Sequence, residues 1–110
     1  MIGVGYMLGV LIVDDETIIR YGIKSMIDWG KLGLVVVGTA ANGQEALEIF
    51  HEYKPEIVIT DIKMPVMDGI ELIRRIRQES TETKVILLTC LQDFNYAREA
   101  ISMGVTEYFV

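Results

Sequence analysis

Two alternating hydrophobic periods predict a three-layer α/β sandwich built on a parallel sheet. Short β-branched apolar runs recur along the chain, and runs of that kind are strands buried on both faces. Between them lie stretches with apolar residues at helical spacing, so strand and helix alternate from one end to the other. The connections are short, which favours parallel strands joined by right-handed crossovers. At 110 residues, 51% hydrophobic and 24% charged, the chain suits one such domain and has no composition of disorder.

The first strand, residues 8–13, ends in Asp14-Asp15-Glu16. Ile18, Ile19, Ile23, Met26 and Ile27 then recur at helical spacing and predict a first helix with one apolar face. The helix dipole stabilises carboxylates at an N-terminus, which accounts for one or two of these acids but not three. A turn-rich link, residues 28–33, leads to the second strand, 34–40. Asn42 with Glu45 resembles a capping box for a second helix whose buried face is Ala46, Leu47, Phe50 and Tyr53. His51, in its polar half, reads as a solvated residue. Pro55 blocks continuation, and a third strand, 56–60, delivers Asp61 to the sheet edge where ligands bind in open parallel sheets.

Asp68 with Glu71 caps a third helix, Met67 packing on Leu72 as a hydrophobic staple. Its buried face is Ile70, Ile73 and Ile76; Arg74, Arg75 and Arg77 mark the solvated one. The fourth strand, 84–88, runs into Thr89-Cys90. Asp93 caps a fourth helix with Phe94, Ala97, Ala100 and Ile101 that stops at Gly104, and a fifth strand starts at Thr106. With no helix after it, one face of the sheet would lack part of its layer.

A net charge of -6 and a pI near 4.7 argue against a basic face gripping nucleic acid and favour a cation or a basic partner. The single cysteine, Cys90, allows no internal disulfide and no metal-cysteine cluster. The apolar start has no Lys or Arg before Arg20 and no small-residue cleavage site, and Asp14 cuts it short of a membrane span. A cytoplasmic protein is expected, with residues 1–6 as an extension ahead of Met7. Gly3-Val4-Gly5 fails as a dinucleotide fingerprint because Leu8 stands at the third glycine.

In such a sheet the ends of strands one, three and four lie side by side, so Asp14, Asp15, Asp61 and Thr89 converge. Crowded carboxylates repel one another, and a hard divalent cation relieves them; oxygen-only ligands with waters left over suit Mg2+. A carboxylate beside Mg2+ can attack phosphorus to give an aspartyl phosphate.

Val-Leu-Ile-Val-Asp14-Asp15-Glu16, Asp61-Ile-Lys-Met-Pro65-Val-Met-Asp68-Gly69 and Leu-Leu-Thr89 resemble, in order and spacing, the motifs of the receiver domain of two-component response regulators. The resemblance covers about residues 8–110. It implies a flavodoxin-like fold with sheet order 2-1-3-4-5. It further implies Asp61 as phosphoacceptor, Mg2+ held by Asp14, Asp15, Asp61 and the backbone carbonyl of Lys63, and a switch formed by the Thr89 hydroxyl and Tyr108. The implied partners are a sensor histidine kinase and a second copy docked through helix four and strand five. DNA would be reached only through a separate transcriptional output domain, and no membrane is involved. Such a domain is a signalling module rather than an enzyme, limited to its own phosphorylation and dephosphorylation.

Asp28-Trp29 with Leu32-Gly33, and Phe94 with Tyr96-Ala97, are similar to the subgroup with an AraC-type helix-turn-helix output. Two departures stand out. The chain stops at Val110, where the family's Lys-Pro pair and last helix would follow, and truncation is the expected reason. Cys90 takes the place of a small residue beside the switch threonine and reads as a packing residue. A haloacid-dehalogenase-type phosphohydrolase would need Asp-x-Asp at the end of strand one, whereas these aspartates are adjacent. A non-phosphorylated interaction module would not need the complete acidic set.

Overall fold

The computed structural model describes residues 7–88, 98, 99, 101–104 and 107–109, the last three in backbone alone. One parallel sheet holds β1 (Leu8–Val13), β2 (Leu34–Ala40), β3 (Ile57–Asp61), β4 (Lys84–Leu88) and β5 (Glu107–Phe109), in the order β2-β1-β3-β4-β5. Helices α1 (Thr17–Met26), α2 (Gly43–Tyr53) and α3 (Gly69–Glu79) make the crossovers between the first four strands. This is the flavodoxin-like α/β arrangement. Arg98, Glu99, Ile101 and Ser102 are also helical, and the turn closes at Gly104, whose φ of +76° only glycine adopts without strain. Thr89, Cys90, Asp93, Phe94, Tyr96, Ala97 and Ala100 lie outside the described residues, as do residues 1–6.

Alternation along the central strands divides the interior in two. Leu11, Val13 and Val58 point to one face and pack with Leu47, Phe50, Leu72 and Ile76 from α2 and α3. Val10, Ile12 and Ile59 point to the other, where Ile23 and Trp29 meet them. Each aliphatic side chain removed from water on the first face contributes roughly 1.5–3 kcal/mol, so the two-helix side carries most of the stabilisation.

The expected apolar face of α1 is present in sequence but not buried. No residue of α1 is buried, and Ile18 and Met26 are each 83% exposed. Among the described residues α1 alone covers its side of the sheet, and Ile57, Ile86 and Leu88 there are only partly buried. A second helix on this side would bury them, as helical layers on both faces of a parallel sheet do. Tyr53, expected inside α2's buried face, is also exposed. It is the last residue of α2.

Local capping follows the sequence closely. Asn42 accepts from the Glu45 amide at 2.8 Å and Asp68 from the Glu71 amide at 2.9 Å, each satisfying an orphan donor of its helix. Neither is a reciprocal box: Glu45 bonds the Ala41 amide, and Glu71 turns to Arg74 and Arg75. Those two guanidiniums, Arg75 first, hold the Glu71 carboxyl below its usual range.

Candidate functional site

Strand register brings the acidic residues to one edge. In the β1–β3 ladder Val13 pairs with Thr60, so Asp14 and Asp61 leave neighbouring strands at the same level. On the other side the β1–β2 ladder extends past β1, the Asp14 amide donating to the Ala40 carbonyl at 3.0 Å. Asp14 then turns back: its Oδ1 accepts from the Glu16 amide at 2.9 Å, which aims the acids together before α1 begins. Carboxylate oxygens of Asp14, Asp15 and Glu16 all lie within 4.8 Å of one another. Asp14 is only 5% exposed, and burial, with Asp15 and Glu16 adding to it, pushes its carboxyl above the usual range.

The loop after β3 is built tightly around Asp61. Ile62 donates its amide to Asp61 Oδ1 at 2.7 Å, and the Gly69 amide closes the loop onto the Ile62 carbonyl at 2.6 Å. A Cβ at Gly69 would stand 2.0 Å from the Asp61 carbonyl oxygen, so the approach needs glycine. The loop is also moored to α2. Gly43 donates to the Met67 carbonyl at 2.8 Å, and a side chain at Gly43 would strike Met67. Between these anchors the Met67 amide bonds the Pro65 carbonyl at 2.9 Å around Val66, a three-residue turn with Val66 at φ +71°. That is a strained geometry, and more so for a β-branched side chain.

Asp15, Lys63, Met64, Pro65 and Asp68 line a shallow cleft of about 430 Å³ at this edge. Asp15 and the Lys63 loop are therefore brought together. Oxygen donors alone, crowded and partly desolvated, suit a hard cation such as Mg2+. A larger cleft of about 570 Å³ sits at the opposite, N-terminal edge of the sheet, beside Pro55, Glu56 and Thr83. Glu56, Glu79 and Glu82 line it, but among the described residues they do not gather within metal-binding distance of one another; His51 there pairs with Glu79 across α2 and α3 at 2.7 Å, an exposed contact.

Residues 10–110 match the sequence profile of the response regulator receiver domain. The chain belongs to that family. It is a receiver domain of a two-component response regulator, a signalling domain. It is 43% identical over 104 residues to the transcriptional regulatory protein YesN of Bacillus subtilis, covering 94% of this chain and 28% of that protein. HptR of Staphylococcus aureus, another transcriptional regulatory protein, is 39% identical over the same share of this chain and 40% of its own. The receiver domain thus spans less than half the length of the curated relatives it matches.

Among solved structures, the receiver domain of AraT from Geobacillus stearothermophilus superposes with a TM-score of 0.89 at 39% identity, over 94% of this chain and 80% of that one. A CheY from Borrelia burgdorferi, solved as a complex with CheX, BeF3 and Mg+2, superposes at 0.83 with 28% identity, over 94% and 77%. No helix among the described residues of this receiver domain is long and apolar enough to cross a membrane.

Of the residues singled out from the sequence, Asp14, Asp15, Asp61 and Lys63 stand at this edge, and Thr89 lies outside the described residues. Tyr108 is in β5, paired with Leu87 in β4, and its backbone alone is described. Two residues of the edge were not foreseen as site residues: Glu16, which joins the carboxylate cluster, and Arg20, which bonds the Asp14 carbonyl. Glu16 follows from its adjacency to Asp15. The Arg20 contact has no sequence signature, since it depends on how the junction turns.

Proposed function

We propose that this receiver takes a phosphoryl group from a sensor histidine kinase onto Asp61, with Asp14, Asp15, Asp61 and the backbone carbonyl of Lys63 holding Mg2+. The observation that carries the reading is the crowded carboxylate cluster, partly desolvated, at the strand level of Asp61. The Borrelia CheY described with BeF3 and Mg+2 supports it as a relative of the same fold. Bound Mg2+ would supply charge neutralisation for the transferring group. Asp61 oxygen attacks phosphorus in line; the O–P bond forms as the P–N bond to the kinase histidine breaks, and the imidazole leaves with the electron pair. The Ile62 amide on Oδ1 fixes the orientation of the nucleophile, and Gly69 fixes its backbone.

The phosphoryl group is then sensed by the Thr89 hydroxyl and passed through Tyr108 to a transcriptional output domain, of AraC type by the Asp28-Trp29 and Leu32-Gly33 signature. The names of the longer relatives support a transcriptional output. Pairing of two copies through helix four and β5 belongs to the same reading, as do a cytoplasmic setting, residues 1–6 as an extension, and reactions limited to self-phosphorylation and dephosphorylation. DNA is contacted by the output domain and not by this acidic one.

Incubation with a small phosphodonor and Mg2+ tests the proposal. An acid-stable, base-labile phosphate is expected, absent in Asp61→Ala and absent when Mg2+ is chelated. Labelling that survives Asp61→Ala contradicts the assignment.

A further inference from the structure

Asp14 is held from three sides, and the third is an arginine outside the acidic set. Its amide is bonded to Ala40 of β2 and its side chain to the Glu16 amide. Its carbonyl accepts from Arg20 Nη1 at 2.7 Å, while Arg20 Nη2 reaches the Thr17 hydroxyl at 3.3 Å. The guanidinium therefore spans from Arg20 in α1 back to Asp14, the first acid of the turn. Packing holds α1 only lightly, since none of its residues is buried and Ile23 only partly covers the sheet.

We infer that Arg20 is a positioning residue for the cation: it fixes the Asp14 backbone so that the carboxylate cluster is formed before the metal arrives. The inference rests on the reading that this cluster holds Mg2+. Two effects of Arg20 oppose each other. Its positive charge repels a cation, but the head is partly exposed and water screens that repulsion. Its directed bond spares the junction the ordering cost that binding would otherwise carry, and that gain is not screened. Positioning therefore outweighs repulsion, in the way outer partners of metal ligands raise affinity.

The test is Mg2+ titration by calorimetry on the full chain, wild type against Arg20→Met, Arg20→Lys and Asp15→Asn. It is paired with backbone amide exchange at residues 15–17 measured without Mg2+. Arg20→Met is expected to weaken Mg2+ binding about tenfold, the lower end of the loss seen when outer-shell partners are removed. Amide exchange at the junction should quicken in the same variant before any metal is added. Arg20→Lys, a point charge of shorter reach without the planar fork, should fall between, and it carries the test if the methionine variant does not fold. Unchanged or tighter Mg2+ binding in the Arg20 variants, or unchanged amide exchange, overturns the inference. Wild-type Mg2+ binding in Asp15→Asn would instead overturn the reading of the acidic cluster, so the two failures are distinguishable.

Discussion

Asp14 is stabilised as the neutral acid by burial and by the adjacent acids, and this has a definite consequence for stability. A carboxyl whose pKa is raised on folding binds more protons in the native than in the unfolded chain. Its contribution therefore falls as pH rises from the ordinary carboxylate range through the raised value. The metal-free domain should lose stability over that interval, and Asp14→Asn should remove the loss while keeping the acceptor for the Glu16 amide. Thermal unfolding with and without Mg2+ checks this: the variant should melt higher than wild type at neutral pH without metal, and should gain nothing from Mg2+. A second residue-scale prediction concerns Val66, whose side chain is 85% exposed and has no packing to lose. Asparagine tolerates the left-handed region that valine resists, so Val66→Asn should stabilise the domain by about 1 kcal/mol in denaturant unfolding.

At the scale of elements, the helices differ in how firmly they are held. α3 buries Ile70, Leu72, Ile73 and Ile76, whereas no residue of α1 is buried and Ile23 is only partly so. Local opening follows buried contacts, so amides of Thr17–Met26 should exchange roughly tenfold or more faster than those of Gly69–Glu79. Equal protection would show that α1 is held by something other than the contacts described. The boundaries of these elements were legible because capping chemistry is local: Asn42, Asp68 and Gly104 each act within a few residues of themselves. The exposure of α1 was not legible. Ile18, Ile19, Ile23, Met26 and Ile27 state that a helix has an apolar face, but periodicity cannot say whether another element covers it. Tyr53 failed for the same reason, because helical spacing cannot say whether the last residue of a helix is covered.

In the molecule as a whole, a parallel sheet of order 2-1-3-4-5 places three strand ends at one edge, and the site follows from that order. The acidic residues could be gathered from sequence because Asp14 and Asp61 each end an apolar run and Asp15 is adjacent to the first. The means of holding them could not: Gly69 against the Asp61 carbonyl, Gly43 against Met67, and Arg20 on the Asp14 carbonyl are contacts between loops, set by tertiary geometry. Among the described residues a well-packed α2–α3 side faces a lightly packed α1 side, and the acidic edge is moored to both. Its central claim is that Asp61 receives the phosphoryl group. The most direct measurement is borohydride reduction of the phosphorylated domain followed by peptide mass spectrometry. The peptide spanning Asp61 should carry the reduced residue at position 61, with Asp14, Asp15 and Asp68 unmodified. Reduction at any of those three with Asp61 intact would contradict the account.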